Sequence, residues 1–143
     1  MKKLLFVIFF LFFYISVYVP NYKHFDIISN IPIEPYNTLI TSIGIVEGKL
    51  DTLAYNSIEK ATGYFQIRPI RLKDYNKRTG NNYQLADMFN YQIAEKIFLY
   101  YADSIGPYNF EKIAKNWNGS GPMTISYWKK VQKELNKLNG PKV

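Results

Sequence analysis

The chain has 143 residues, enough for one domain to bury a core without staples. With no cysteine and a single histidine, His24, it excludes a disulfide framework, a thiolate zinc site, a His-rich metal centre and a Ser-His-Asp triad; no cofactor or metal is expected, and any chemistry falls to carboxylates, hydroxyls and amides. A formal charge of +7 suggests a polyanionic neighbour, but the basic residues, densest from Lys129 to Lys137 and again from Arg68 to Arg78, match no nucleic-acid motif, so a solvated face is the plain reading and nucleic acid is not an expected partner.

The N-terminus reads "MKKLLFVIFFLFFYISVYVPNYK": two lysines, an apolar run from Leu4 to Val19, then Pro20. That pattern predicts an export signal over residues 1–23, either a cleaved signal peptide or an uncleaved signal anchor. The exit "YISVYVPNY" lacks the small residues of a cleavage site, which favours the anchor. Lys2 and Lys3 would stay in the cytoplasm, placing the rest of the chain on the far side of the membrane, or releasing it there if the leader is cut. Residues 24–35 carry Pro32 and Pro35 without a period and are predicted to be a linker. The domain is expected to span residues 36–143.

Asn37 is predicted to cap a helix with apolar positions Leu39, Ile40, Ile43 and Val46, ended by a left-handed Gly48. Glu47 closes this helix on the face of Ile40 and Ile43, where a charge is out of place. Apolar neighbours and the negative end of the helix would both raise its pKa, giving a carboxylic acid able to donate a proton near neutrality; a side chain turned out to solvent at a frayed end is the alternative.

Residues 50–62 read as loop with at most a short hairpin, with Asp51, Asn56 and Ser57 as turn formers. The following "ATGYFQIRP" fits neither helical nor strand spacing. After Pro69 a short helix is predicted to end around Thr79–Gly80. Leu85, Phe89, Ile93, Ile97 and Tyr101 mark what should be the longest helix, ending before Gly106-Pro107. Phe110, Ile113, Ala114 and Trp117 predict another, interrupted by "NWNGSGP", and a last one starts at Thr124 or Ser126 with Tyr127, Val131, Leu135 and Leu138 on one stripe. Tyrosine and phenylalanine number 13 and 10, an abundance compatible with a sugar-binding groove, although for any single one of them a place in the core is the default.

Three pieces, "GIVEGKLDTLAYNS", "ATGYFQIRP" and "KNWNGSGPMTISYWKKV", together resemble the motifs of the soluble-type lytic transglycosylases and their lysozyme-like relatives. Glu47 matches the family's helix-ending glutamate, with Gly48 in place of the usual serine. Ser57, Ala61, Gly63, Gln66, Ile67 and Pro69 match the second motif, with Lys60 replacing a glycine and Tyr64-Phe65 replacing Leu-Met. Trp117-Asn118-Gly119 matches the third, Tyr127 the tyrosine after it, and Asn90 an asparagine on the linking helix. The likeness spans roughly residues 39–131. It implies a mainly α fold of the α+β lysozyme-like class: a compact helical domain with at most a small β-hairpin, preceded by the hydrophobic N-terminal helix.

The resemblance also implies an activity, cleavage of the MurNAc-GlcNAc β-1,4 linkage of peptidoglycan with formation of 1,6-anhydro ends, by a monomer whose partners are glycan strands and, through an uncleaved leader, the membrane. Glu47 would be the catalytic acid. Ser57 and Gln66 would orient the substrate, Tyr64 and Phe65 would pack or stack beside it, Asn118 would hydrogen-bond in the groove, and Tyr127 would hold Glu47. Gly63 would let the loop backbone approach the sugar. Asp51 and Glu59 are the available rivals for a second carboxylate; either one in the cleft would favour a lysozyme-type muramidase that hydrolyses the same bond. A catalytically idle peptidoglycan-binding module is the reading from another class.

Overall fold

Apolar residues at helical spacing dominate the chain from residue 36 onward, and they build helices. The structure, a computed structural model, describes residues 36–140; the predicted leader and linker lie outside them, and no helix among the described residues is long and apolar enough to cross a membrane. In chain order they form α1 (Asn37–Gly48), strands β1 (Tyr55–Asn56) and β2 (Ala61–Thr62), α2 (Pro69–Thr79), a 3-10 helix (Leu85–Phe89), α3 (Tyr91–Asp103), α4 (Phe110–Asn118) and α5 (Met123–Asn139). The domain is mainly helical, with one small antiparallel hairpin in which Tyr55 pairs with Thr62 and Asn56 with Ala61.

The α1 stripe of Leu39, Ile40 and Ile43 is buried, and α1 packs chiefly against α5, whose inner face is Tyr127, Val131 and Leu135. α5 also lies along α4, and α3 joins α4 to the 3-10 helix. At the centre Phe65 stacks on Phe98 at 4.9 Å and meets Trp117 edge-on, while the Trp117 indole N–H donates to the Phe65 carbonyl at 3.2 Å.

Several expectations are corrected. Tyr36, not Asn37, is the cap residue of α1, and its side chain makes no capping hydrogen bond. The left-handed stop is Lys49 (φ 54°), whose N–H closes the helix, so Gly48 is the last helical residue and Glu47 the one before it. The single long helix expected from Leu85 to Tyr101 is two elements: Asn90 accepts the backbone N–H groups of Gln92 and Ile93 through its side chain, restarting the chain as α3 after the 3-10 turn. The longest α-helix among the described residues is α5, and its stripe is buried as far as Leu135 but not at Leu138.

Candidate functional site

The segment 62–67 folds back on itself. Thr62 and Ile67 exchange backbone hydrogen bonds, and the turn between them needs left-handed backbone at Gly63 (φ 75°) and Gln66 (φ 48°). For a non-glycine residue that conformation is uncommon and strained, and two side-chain bonds hold it: the Gln66 amide N–H₂ donates to the carbonyls of Ala54 (3.2 Å) and Gly63 (2.9 Å). Both donors are thereby occupied, leaving the Gln66 carbonyl oxygen as the group the side chain can offer a ligand.

This loop forms one wall of a cleft of about 180 Å³ that contains Glu47. Gln66, Arg68 and Arg71 line it from the loop and the start of α2, Asn56, Glu59 and Ala61 from the hairpin, and Trp117 and Asn118 from the end of α4. Glu47 is half-buried at the end of α1, and the Tyr127 hydroxyl donates to its Oε1 at 2.8 Å. Its pKa is pushed from 4.5 to about 7, above all by burial. The Tyr127 hydrogen bond and the positive charge of Arg68 pull the other way, Glu59 adds repulsion, and Arg71 attracts more weakly. The Tyr127 hydroxyl, buried beside this carboxyl, is itself held far above the ordinary tyrosine range by desolvation and by Glu47.

The arginines fasten the far wall. Arg68 Nη2 donates to the Asn118 carbonyl (3.1 Å), and Arg71 Nη2 donates to the carbonyls of Asn116 (2.9 Å) and Trp117 (3.0 Å). These are carbonyls at the C-terminus of α4, which otherwise lack intrahelical partners. The Arg71 guanidinium also lies over the rings of Trp117 (4.5 Å) and Tyr101 (4.7 Å).

Of the residues singled out from the sequence, Glu47, Gln66, Asn118 and Tyr127 come together here. Ser57 does not line the cleft. It sits exposed in the hairpin turn, beside Asn56, whose Oδ1 accepts the N–H groups of Ile58 and Glu59. Tyr64 and Phe65 are core residues, 8% and 0% exposed, so stacking a sugar on the Phe65 ring is ruled out; their rings pack against Tyr91 and Phe98 instead. Gly63 also has an internal reason: a Cβ there would lie 2.0 Å from the Met88 carbonyl oxygen, so the close approach is to the 3-10 helix and not to a ligand. Asp51 is an exposed turn residue that accepts the Leu53 N–H, whereas Glu59 lines the cleft.

In the sequence, Arg68 and Arg71 stand only as part of a solvated basic run. Arg68 stands inside the "QIRP" segment, so its proximity to Gln66 was visible; its reach to Asn118, 50 residues away, had no signal in local spacing.

Chemically, the arrangement offers one carboxyl poised to give and take a proton, an amide oxygen, a second carboxylate and two guanidinium cations. Comparison with family models, curated proteins and solved structures finds no match for the chain.

Proposed function

We propose that this protein is a peptidoglycan lytic transglycosylase of lysozyme-like fold that breaks the MurNAc-GlcNAc β-1,4 bond with Glu47 as its acid and then its base. The observation that carries the reading is Glu47 itself, a carboxyl in an open polar cleft whose pKa near 7 lets it hold a proton and release it under the same conditions. The order of Glu47, Gln66, Asn118 and Tyr127 along the chain adds support, as does the convergence of the first three on one cleft with Tyr127 bonded to Glu47.

In the first step protonated Glu47 gives its proton to the bridging oxygen as the anomeric C–O bond breaks, and the muramoyl acetamido oxygen shares the positive charge at carbon. In the second the Glu47 carboxylate takes the proton of the C6 hydroxyl, whose oxygen bonds to the anomeric carbon and closes the 1,6-anhydro ring. No water is consumed, and Glu47 ends protonated as it began. Gln66 would accept an N–H of the sugar's acetamido group, Asn118 would bond from the opposite wall, and the leader predicted over residues 1–23 would carry the domain to the wall side of the membrane.

Glu59 favours a second reading. A further carboxylate lining the cleft is what a hydrolase needs to activate water, and the protein would then be a muramidase acting on the same bond. The mass spectrum of products released from purified sacculi decides. Anhydromuramoyl ends, one water lighter than reducing ends, support the lyase; reducing ends establish the hydrolase. Release of nothing by the wild type, with undiminished binding by Glu47→Gln, leaves a glycan-binding module.

A further inference from the structure

Arg68 and Arg71 are the charged groups of the cleft that proton transfer does not use. The ion pairs among the described residues, Arg78–Asp74, Lys115–Glu111 and Lys137–Glu134, involve neither of them. Both guanidiniums are half-buried and line the same cleft as Glu47. With Glu47 protonated, its state before bond cleavage, two positive charges stand in the cleft with one other carboxylate, Glu59, among the described lining residues.

The two arginines differ in freedom. Arg71 is locked between two rings and two carbonyls, so it acts as a charge held in place. Among the described residues the Arg68 side chain makes one hydrogen bond, through Nη2 to the Asn118 carbonyl, and a guanidinium has five N–H donors, so most of the fork of this cleft-lining residue has no partner among them. A planar fork of this kind matches a carboxylate in two-point contact.

We propose that Arg68, backed by the fixed charge of Arg71, is a carboxylate-binding subsite that makes the protein select glycans bearing a carboxylate on the 3-substituent of the sugar over neutral glycans of the same linkage. The inference rests on the glycan-cleaving reading of the cleft and adds the substrate feature recognised there. In peptidoglycan the carboxylate has two sources, the lactyl ether itself when the peptide has been removed and the peptide stem when it is present. Its arrival would have a second effect. Arg68 draws Glu47 toward the ionised form, and a bound carboxylate neutralises that pull, leaving Glu47 more fully protonated when substrate is present.

The test is binding by the full chain carrying Glu47→Gln, so that ligand is not consumed, with Arg68 intact or replaced by Gln. Three probes are titrated: stem-bearing glycan strands, strands stripped of peptide by an amidase, and stripped strands whose lactyl carboxyl has been reduced to the alcohol. With Arg68 intact, a carboxylate-bearing probe should bind about tenfold more tightly than the reduced one, as expected of a charge-assisted pair. Tighter binding of stripped over reduced strands identifies the lactyl carboxylate, and tighter binding of stem-bearing strands alone identifies the peptide.

Arg68→Gln should bring the ratio close to one, and Arg68→Lys should keep part of it. Should Arg68→Gln not fold, the ratio with Arg68 intact should shrink as salt is raised. Equal binding of all three probes with Arg68 intact overturns the inference while leaving the glycan reading in place. A fall in all three by the same factor on Arg68→Gln also overturns it, since Arg68 would then only brace the end of α4. Binding of none overturns both readings.

Discussion

A carboxyl whose pKa rises on folding weakens the fold where it must ionise. Glu47 titrates at about 7 in the folded chain against an ordinary 4.5, so between these values the folded state holds the more protons and stability falls as pH rises. The full contribution is present below pH 4.5 and is lost as pH passes 7; the difference is on the order of 3 kcal/mol. Glu47→Gln is therefore expected to be more stable than wild type at pH 8 and close to it at pH 4.5, while losing about 10²- to 10⁴-fold in cleavage rate, checked by urea midpoints at the two pH values and by product release. Tyr127→Phe removes the hydroxyl that favours ionised Glu47, so the alkaline limb of the pH–rate profile should move upward by up to about one unit, whereas a purely structural loss would lower the rate without moving the limb. The anomaly of a charge on the apolar face of α1 was readable from Ile40 and Ile43 alone. That burial outweighs two nearby arginines was not, because Arg68 and Arg71 reach Glu47 through the fold and not along the chain.

Elements meet here at glycines as much as at side chains. Gly44, in the middle of α1, lies under the Tyr64 ring, where an added Cβ would stand 2.1 Å from the ring carbon that bears the hydroxyl. Helix propensity alone makes Gly44→Ala favourable by about 1 kcal/mol, but overpacking of this severity costs about 1–3 kcal/mol or more, so the substitution should lower Tm. Gly63→Ala should cost more than Gly44→Ala, since the obstacle is the backbone carbonyl of Met88, which cannot swing aside, and the φ of 75° adds strain; thermal melts of the two variants give the order. These contacts also show where sequence reading stopped. Apolar spacing located α1, α4 and α5 within a few residues, because periodicity reports which face is buried, while Pro69 and Gly80 bracketed α2 and the turn formers Asp51, Asn56 and Ser57 marked the hairpin as a possibility. The same spacing runs unbroken through Leu85, Phe89, Ile93 and Ile97, so it concealed the break at Asn90, which is made by cap chemistry. In "ATGYFQIRP" the aromatics proved to be core and the amide to be a brace, since a motif preserves positions without saying which side of a loop each side chain faces.

At the scale of the molecule, the Glu47–Tyr127 pair is assembled by closure of the chain. Glu47 lies at the end of the first described helix and Tyr127 on the last, 80 positions apart, and the hydrogen bond between them exists only when α5 docks on α1. That docking depends on Val131 and Leu135, which with Tyr127 form the buried stripe of α5. Removing the chain after Lys130 deletes both aliphatic side chains, each contributing about 1.5–3 kcal/mol by burial. It also leaves α5 only two turns, too short to persist without packing. Set against a total stability of about 5–15 kcal/mol for a domain, the loss is large enough to abolish cooperative unfolding. The truncated chain should therefore show no sigmoidal urea transition and no glycan cleavage, although Glu47, Gln66, Arg68 and Asn118 are all retained. Leu138→Ala is the matched control on the same helix. Leu138 is 40% exposed beyond the buried stripe, so its truncation should change stability by no more than about 0.5 kcal/mol and leave cleavage intact. A truncated chain that still unfolds cooperatively and still cleaves would mean that the position of Glu47 does not depend on the part of α5 beyond Lys130.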